Sequence, residues 1–265
     1  MKRVFGGLLC AGLVLALVVA GPTVRAESEG VLSDLGLTVT GDLNYSSIYM
    51  WRGIMLDGDP VLQPGMYVAT APGDFGVLKV GFWASHDMSN TDALKSSELD
   101  FLADYTYSLD AVNLSVGHTY YSFPDLLPTD GAPKGWSREL YLAAGFPKLP
   151  LAPSVYWYYD YGKKEDGGGE GTYTVLNLAY SVPFTVKETS LSLDLAGHVG
   201  HNNKQFYKGK GGDAALTAGV TIPLTKSLTC KPNVSYSVPW GNVSDKGNGN
   251  QKNRMFTGAY FAYTF

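Results

Sequence analysis

The chain is 265 residues long with a formal net charge of −4, a balance that excludes the basic surface of a nucleic-acid-binding protein. Its cysteines are Cys10 and Cys230; only the second lies beyond the N-terminal leader, so a mature chain has no internal disulfide. Past that leader no apolar run reaches about 18 residues, which excludes a second spanning helix.

In chain order, the leader comes first. Met1-Lys2-Arg3 is basic, Val4 to Ala20 is apolar, and Val24 and Ala26 occupy the small-residue positions of a cleavage site. This order predicts a secretory signal peptide over 1–26. A transmembrane anchor is the alternative, but the run is short for one. Residues 27–265 are then a single exported domain of 239 residues.

Helical periodicity is nearly absent from that domain. Apolar and polar residues alternate with period two in runs of about ten, the length of a membrane-spanning strand. In "LTVTGDLNYSSIYMWR", Leu37, Val39, Leu43, Tyr45, Tyr49 and Trp51 share one face; Thr38, Thr40, Asp42, Asn44, Ser46 and Arg52 share the other. In "ELDFLADYTY", Leu99, Phe101, Ala103, Tyr105 and Tyr107 stand against Glu98, Asp100, Asp104 and Thr106. In "TSLSLDLAGHVG", Leu191, Leu193 and Leu195 stand against Ser190, Ser192, Asp194 and His198.

Twelve such runs are expected, at 36–52, 61–70, 77–86, 98–108, 112–122, 137–146, 154–163, 172–182, 189–200, 213–223, 228–240 and 254–265. Connectors after the even-numbered runs are short ("LDA", "TKS"). Those after the odd-numbered runs are long and polar ("KEDGGGEG", "GNVSDKGNGNQKN"). Sorting by length is how an outer-membrane barrel is built, with short periplasmic turns and long external loops. The predicted fold is all-β: a transmembrane antiparallel up-and-down barrel of about 12 strands. A soluble sandwich also alternates, but it has no reason to sort its connectors.

Parity places ten charges in the lumen. Asp42, Glu98, Asp100, Asp104, Glu139, Asp160 and Asp194 are acidic; Arg52, Lys79 and Lys231 are basic. Such rings either brace the wall through salt bridges or set the ion preference of a pore. Twelve strands lie between side-chain-filled barrels and open porins, so width does not choose between these.

Catalytic signals are weak. The sequence has no nucleophile elbow, phosphate loop or zinc-spaced cluster, so neither a cofactor nor a metal is expected. His86 and Ser89 in "SHDMSN" are three apart on a strand end, where odd separations face opposite sides. The chain closes on Phe261, Tyr263 and Phe265 on one face, read as a C-terminal assembly signal. The partners expected are therefore outer-membrane lipid, lipopolysaccharide and the assembly machinery of that membrane.

One stretch carries a resemblance. Trp51-Arg52-Gly53, Pro60-Val61-Leu62-Gln63 and Phe82-Trp83-Ala84-Ser85 are similar to motifs of a family of proteobacterial outer-membrane, porin-like proteins of unknown function, called Gcw_chp or TorF. Pro64 departs from the family's more frequent glycine. The resemblance implies a barrel of this size and marks Arg52, Gly53, Pro60 and Gln63 as motif residues without a role. The function expected is a passive or weakly cation-preferring channel for small hydrophilic solutes. A non-conducting adhesin or envelope scaffold is the alternative, followed by a lipid-modifying enzyme.

Overall fold

The computed structural model describes residues 31–89, 98–123, 135–166 and 168–265. The expected signal peptide over 1–26 lies outside them, as does Asn90 of the "SHDMSN" stretch.

A single helical turn, Val31–Asp34, leads into β1 (Leu37–Ser46). Two short strands follow, β2 (Tyr49–Trp51) and β3 (Ile54–Asp57). The chain continues through β4 (Val61–Thr70), β5 (Val77–Asp87), β6 (Glu98–Ser108), β7 (Asn113–Ser122), β8 (Trp136–Gly145) and β9 (Ser154–Asp160). It finishes with β10 (Gly171–Val186), β11 (Thr189–Asn203), β12 (Lys210–Pro223), β13 (Leu228–Gly241) and β14 (Arg254–Thr264). All but β2 and β3 form one closed barrel, sealed where β1 pairs with β14 and with β4. Every neighbouring pair is antiparallel, so the twelve-strand expectation holds.

Alternation decides which way each side chain points. On β6, Glu98 and Asp100 are buried while Phe101, Ala103, Tyr105 and Tyr107 are exposed on the outer wall. The same exposure recurs around the barrel at Val80, Leu142, Trp157, Tyr180, Leu195 and Leu216. A closed sheet satisfies its backbone internally, and an apolar outer wall is costly in water but stable in hydrocarbon. This barrel spans a membrane.

One expectation fails at the first strand. The predicted run 36–52 stops at Ser46, whose hydroxyl donates to the Ile48 carbonyl at 2.7 Å. Such a local bond competes with the sheet ladder and helps the chain leave the wall. The stretch "YMWRGIMLD" carries large apolar residues on both faces, with Arg52 and Asp57 as its charges, and a wall strand has a wet side to fill. It folds instead as a separate β2–β3 hairpin. At its tip Arg52 has φ 48° and Gly53 φ 75°, the two positive angles of a tight hairpin turn. Tyr49 and Trp51, expected to face lipid, are instead only 6 % and 5 % exposed, packed inside the barrel.

Candidate functional site

The inward hairpin packs within the half of the barrel nearest the long loops. Tyr49, Trp51 and Ile54 pack with Val61 of β4, Trp83 of β5 and Val243 of the β13–β14 loop. Leu56 joins from the hairpin, and Phe206 and Tyr207 from the β11–β12 loop. Trp51 meets Phe206 and Tyr121 edge-on, with ring centroids 5.4 and 6.3 Å apart. This geometry suits the aromatic quadrupole. Two further loops thus descend to meet the first.

Arg52 is carried past this cluster to the opposite wall. Its guanidinium makes a two-point contact with Glu139 of β8: Nη1 to Oε2 at 2.6 Å and Nη2 to Oε1 at 2.8 Å. Nη1 also donates to Gln205 Oε1 at 2.8 Å. Both sides of the ion pair are buried, 0 % and 1 % exposed. The guanidinium carbon lies 4.2 Å from the ring centre of Tyr158, and 4.5 Å from those of Tyr173 and Trp51. Glu139 is held in turn by Tyr121 Oη at 2.9 Å and Gln205 Nε2 at 2.8 Å. A buried ion pair is stable only when its remaining hydrogen-bonding capacity is filled, and these contacts do that for the carboxylate.

Carboxylates crowd around this pair. Glu139 and Asp160 are direct partners across β8 and β9. Asp160 accepts from Ser137 Oγ at 2.6 Å. Glu98 and Asp100 lie on β6, and Asp213 of β12 accepts from Tyr173 Oη at 2.8 Å. All five acids are buried. Among the described residues, the buried bases are Arg52 and Lys231, and Lys231 lies towards the other end of the barrel.

The remaining charges expected in the lumen sit nearer the short turns. Tyr260 Oη donates to Asp42 at 3.0 Å. Tyr141 Oη donates to Asp104 across the inner wall, and Thr221, Ser181 and Ser192 donate to Asp194. Lys79 stands opposite Asp104 in the β5–β6 register, and Lys231 Nζ lies 6.0 Å from the ring centre of Tyr260. Asp42, Lys79, Asp104 and Asp194 are half-buried, open in part to solvent. The lumen therefore has two halves: one where the hairpin and the charges around it are buried, one lined by charge open in part to solvent.

A family model described as "bacterial protein of unknown function (Gcw_chp)" matches residues 32–230. The chain belongs to the Gcw_chp family. The matched span contains Arg52 and each of its partners named above. Comparison with curated proteins gives no match. Solved structures of similar shape include an outer-membrane channel from Pseudomonas putida F1, at 11 % identity over 86 % of this chain and 95 % of that one, TM-score 0.46. The KdgM porin matches at 10 % identity over 85 % and 99 %, TM-score 0.48, and the NanC porin at 12 % over 86 % and 98 %, TM-score 0.44. These likenesses concern the fold alone. A bacterial membrane-spanning β-barrel is an outer-membrane protein, because that is the membrane such barrels occupy.

The family-motif residues gain a place in Gcw_chp architecture. Arg52 and Gly53 form the hairpin tip, and the Pro60 carbonyl accepts from Met88 N at 3.0 Å where the hairpin returns to the wall. Gln63 accepts from Asn44 Nδ2 at 2.8 Å and donates to Ser85 Oγ at 3.3 Å, tying β1, β4 and β5 together beneath the hairpin. His86 is exposed on the outer wall, while Ser89 donates to Asp59 and Asp87 at 2.8 and 3.0 Å. Phe261 lies opposite Leu43 in the register, and Tyr263 and Phe265 meet edge-on at 4.7 Å on the outer surface. Sequence reading did not single out Gln205, Tyr121, Tyr158, Tyr173 or Asp213. The tyrosines had a signal: they occupy inward parity positions, where a water-filled lumen does not call for aromatic rings.

Proposed function

We propose that this Gcw_chp chain is an outer-membrane channel for small hydrophilic solutes, closed in this state by the β2–β3 hairpin. The observation that supports the reading is the division of the lumen. The wall is lined with charge along its length, yet the long-loop half is blocked by a segment that belongs to a loop and not to the wall. On this reading the long loops face outward, the short turns face the periplasm, and the periplasmic half is a solvated vestibule. The acid excess gives a cation preference.

One observation favours the rival reading, a permanently closed scaffold. Arg52 is fixed by two charged hydrogen bonds and three aromatic faces, a costly arrangement to break. Planar-bilayer recording separates the two. The wild-type barrel is expected to be silent or to open rarely. A chain with residues 49–57 replaced by a short glycine linker is expected to give steady steps whose reversal potential in a salt gradient favours cations. A hairpin-less barrel that is folded and still silent would overturn the channel reading.

A further inference from the structure

The groups around Arg52 form a receptor that is complete without it. Glu139 presents both carboxylate oxygens in one plane, oriented by Tyr121 and Gln205. Tyr158 and Tyr173 offer ring faces 4.2 and 4.5 Å from the guanidinium carbon. These side chains come from β7, β8, β9, β10 and the β11–β12 loop, so the barrel wall and one loop build the site. Only Arg52 and Trp51 arrive on the hairpin.

The chemistry of that site is narrow. A planar fork of donors matches a carboxylate at two points and stacks flat against aromatic rings, whereas an ammonium is a compact, strongly hydrated point charge. Asp160 stands opposite Glu139 across β8 and β9, and Asp213 accepts from Tyr173. With the hairpin withdrawn, the buried carboxylates would face a cavity without their guanidinium.

From this arrangement we infer that the barrel carries a binding site for small alkylguanidinium cations, occupied in the closed state by the side chain of its own Arg52. A solute of that class and Arg52 compete for the same place, so solute binding releases the hairpin tip. The inference rests on the closed-channel reading for its consequence, but the site itself is measurable without conductance.

The test uses methylguanidinium chloride, with methylammonium chloride and sodium chloride at matched ionic strength as comparators. In the purified Arg52→Ala barrel, methylguanidinium is expected to raise the melting temperature saturably, as a ligand that binds only the folded state does. It should act at concentrations lower than methylammonium by about tenfold or more, the worth of one charge-assisted hydrogen bond. The effect should vanish in Arg52→Ala/Glu139→Ala. Should Arg52→Ala not fold, the wild type serves: methylguanidinium should accelerate hydrogen exchange at residues 49–57 and methylammonium should not. Equal effects of the two cations, or stabilisation that survives loss of Glu139, would overturn the inference. A variant that conducts but ignores methylguanidinium removes the site and leaves the channel. One that binds methylguanidinium but stays silent removes the channel and leaves the site.

Discussion

Replacing Glu139 by Gln isolates the share of the Arg52–Glu139 ion pair in holding the hairpin inside. In the wild type the Arg52 and Glu139 side chains are 0 % and 1 % exposed. Removing one partner of such a buried pair costs about 3–5 kcal/mol, because the other charge is left uncompensated. On the channel reading that cost falls on the closed state alone, because a withdrawn hairpin carries Arg52 into water. At about 1.4 kcal/mol per factor of ten, the closed-to-open ratio should fall roughly one-hundred- to several-thousand-fold. Opposing withdrawal is the burial of Tyr49, Trp51 and Ile54, each stabilising by about 1.5–3 kcal/mol. Their sum, about 4.5–9 kcal/mol, exceeds the penalty over most of its range, so the hairpin should still be mostly docked, and the barrel still folded. The assay is hydrogen exchange of amides 49–57 in detergent micelles, with wall amides of β11 and β12 as the internal reference. Exchange at the hairpin should quicken by the stated factor while the wall is unmoved. Adding Arg52→Ala to Glu139→Gln should reverse part of the effect, since no charge is then stranded. Hairpin exchange within tenfold of wild type, in a folded Glu139→Gln barrel, would refute the reasoning.

Two other outcomes follow from the same geometry. Gly53→Val should loosen the hairpin, because Gly53 has φ +75° and an added Cβ would lie 2.5 Å from the Asp213 Cβ. The left-handed backbone alone costs about 1–2 kcal/mol, and the clash adds to it, so hairpin exchange should rise about tenfold or more; an unchanged rate would mean the tip does not seat against β12. For orientation, an epitope tag at Gly247, which has open space around it, should label intact cells, while one between Asp110 and Ala111 should not. Gly168 packs against Gly162, so a tag there should instead lower barrel yield, and labelling at both Gly247 and Ala111 would refute the assigned direction.

The wall was legible from the sequence because a membrane strand obeys one rule at every residue. Lipid on one side and water on the other force a period of two, and a slip of one residue would place Asp100 or Asp104 in hydrocarbon. That constraint fixed the register on β6 and β14, where Tyr260 reaches Asp42 while Phe261 faces outward. The plug was not legible by the same rule. Tyr49 and Trp51 continue the parity of β1, so alternation alone carries the strand through them to Arg52. What distinguishes the segment is that Met50, Ile54 and Leu56 put apolar side chains on the face that β1 keeps polar, and that Arg52-Gly53 is able to take two positive φ angles. The site was hidden for a further reason. Its parts come from residues as far apart as Arg52 and Gln205, and no local pattern ties a loop glutamine to a hairpin arginine across the lumen.

The division of the lumen also changes what its charges mean. Taken together, the ten expected residues are seven acids and three bases spread along one conduit. In the fold, Glu98, Asp100, Glu139 and Asp160 are buried about the hairpin with Arg52. Asp42, Asp104 and Asp194 share the other half with Lys79 and Lys231. On the channel reading, a solute in the vestibule of the closed state meets three half-buried acids and the half-buried Lys79, with Lys231 buried in the same half. The acids behind the hairpin act on it only weakly, being buried, with Glu139 paired to Arg52. Withdrawal of the hairpin removes that guanidinium and uncovers the four carboxylates in the same step. On the channel reading, opening and cation preference are then one event, because the residue that blocks the path is also the counter-charge of Glu139, the carboxylate its withdrawal leaves bare.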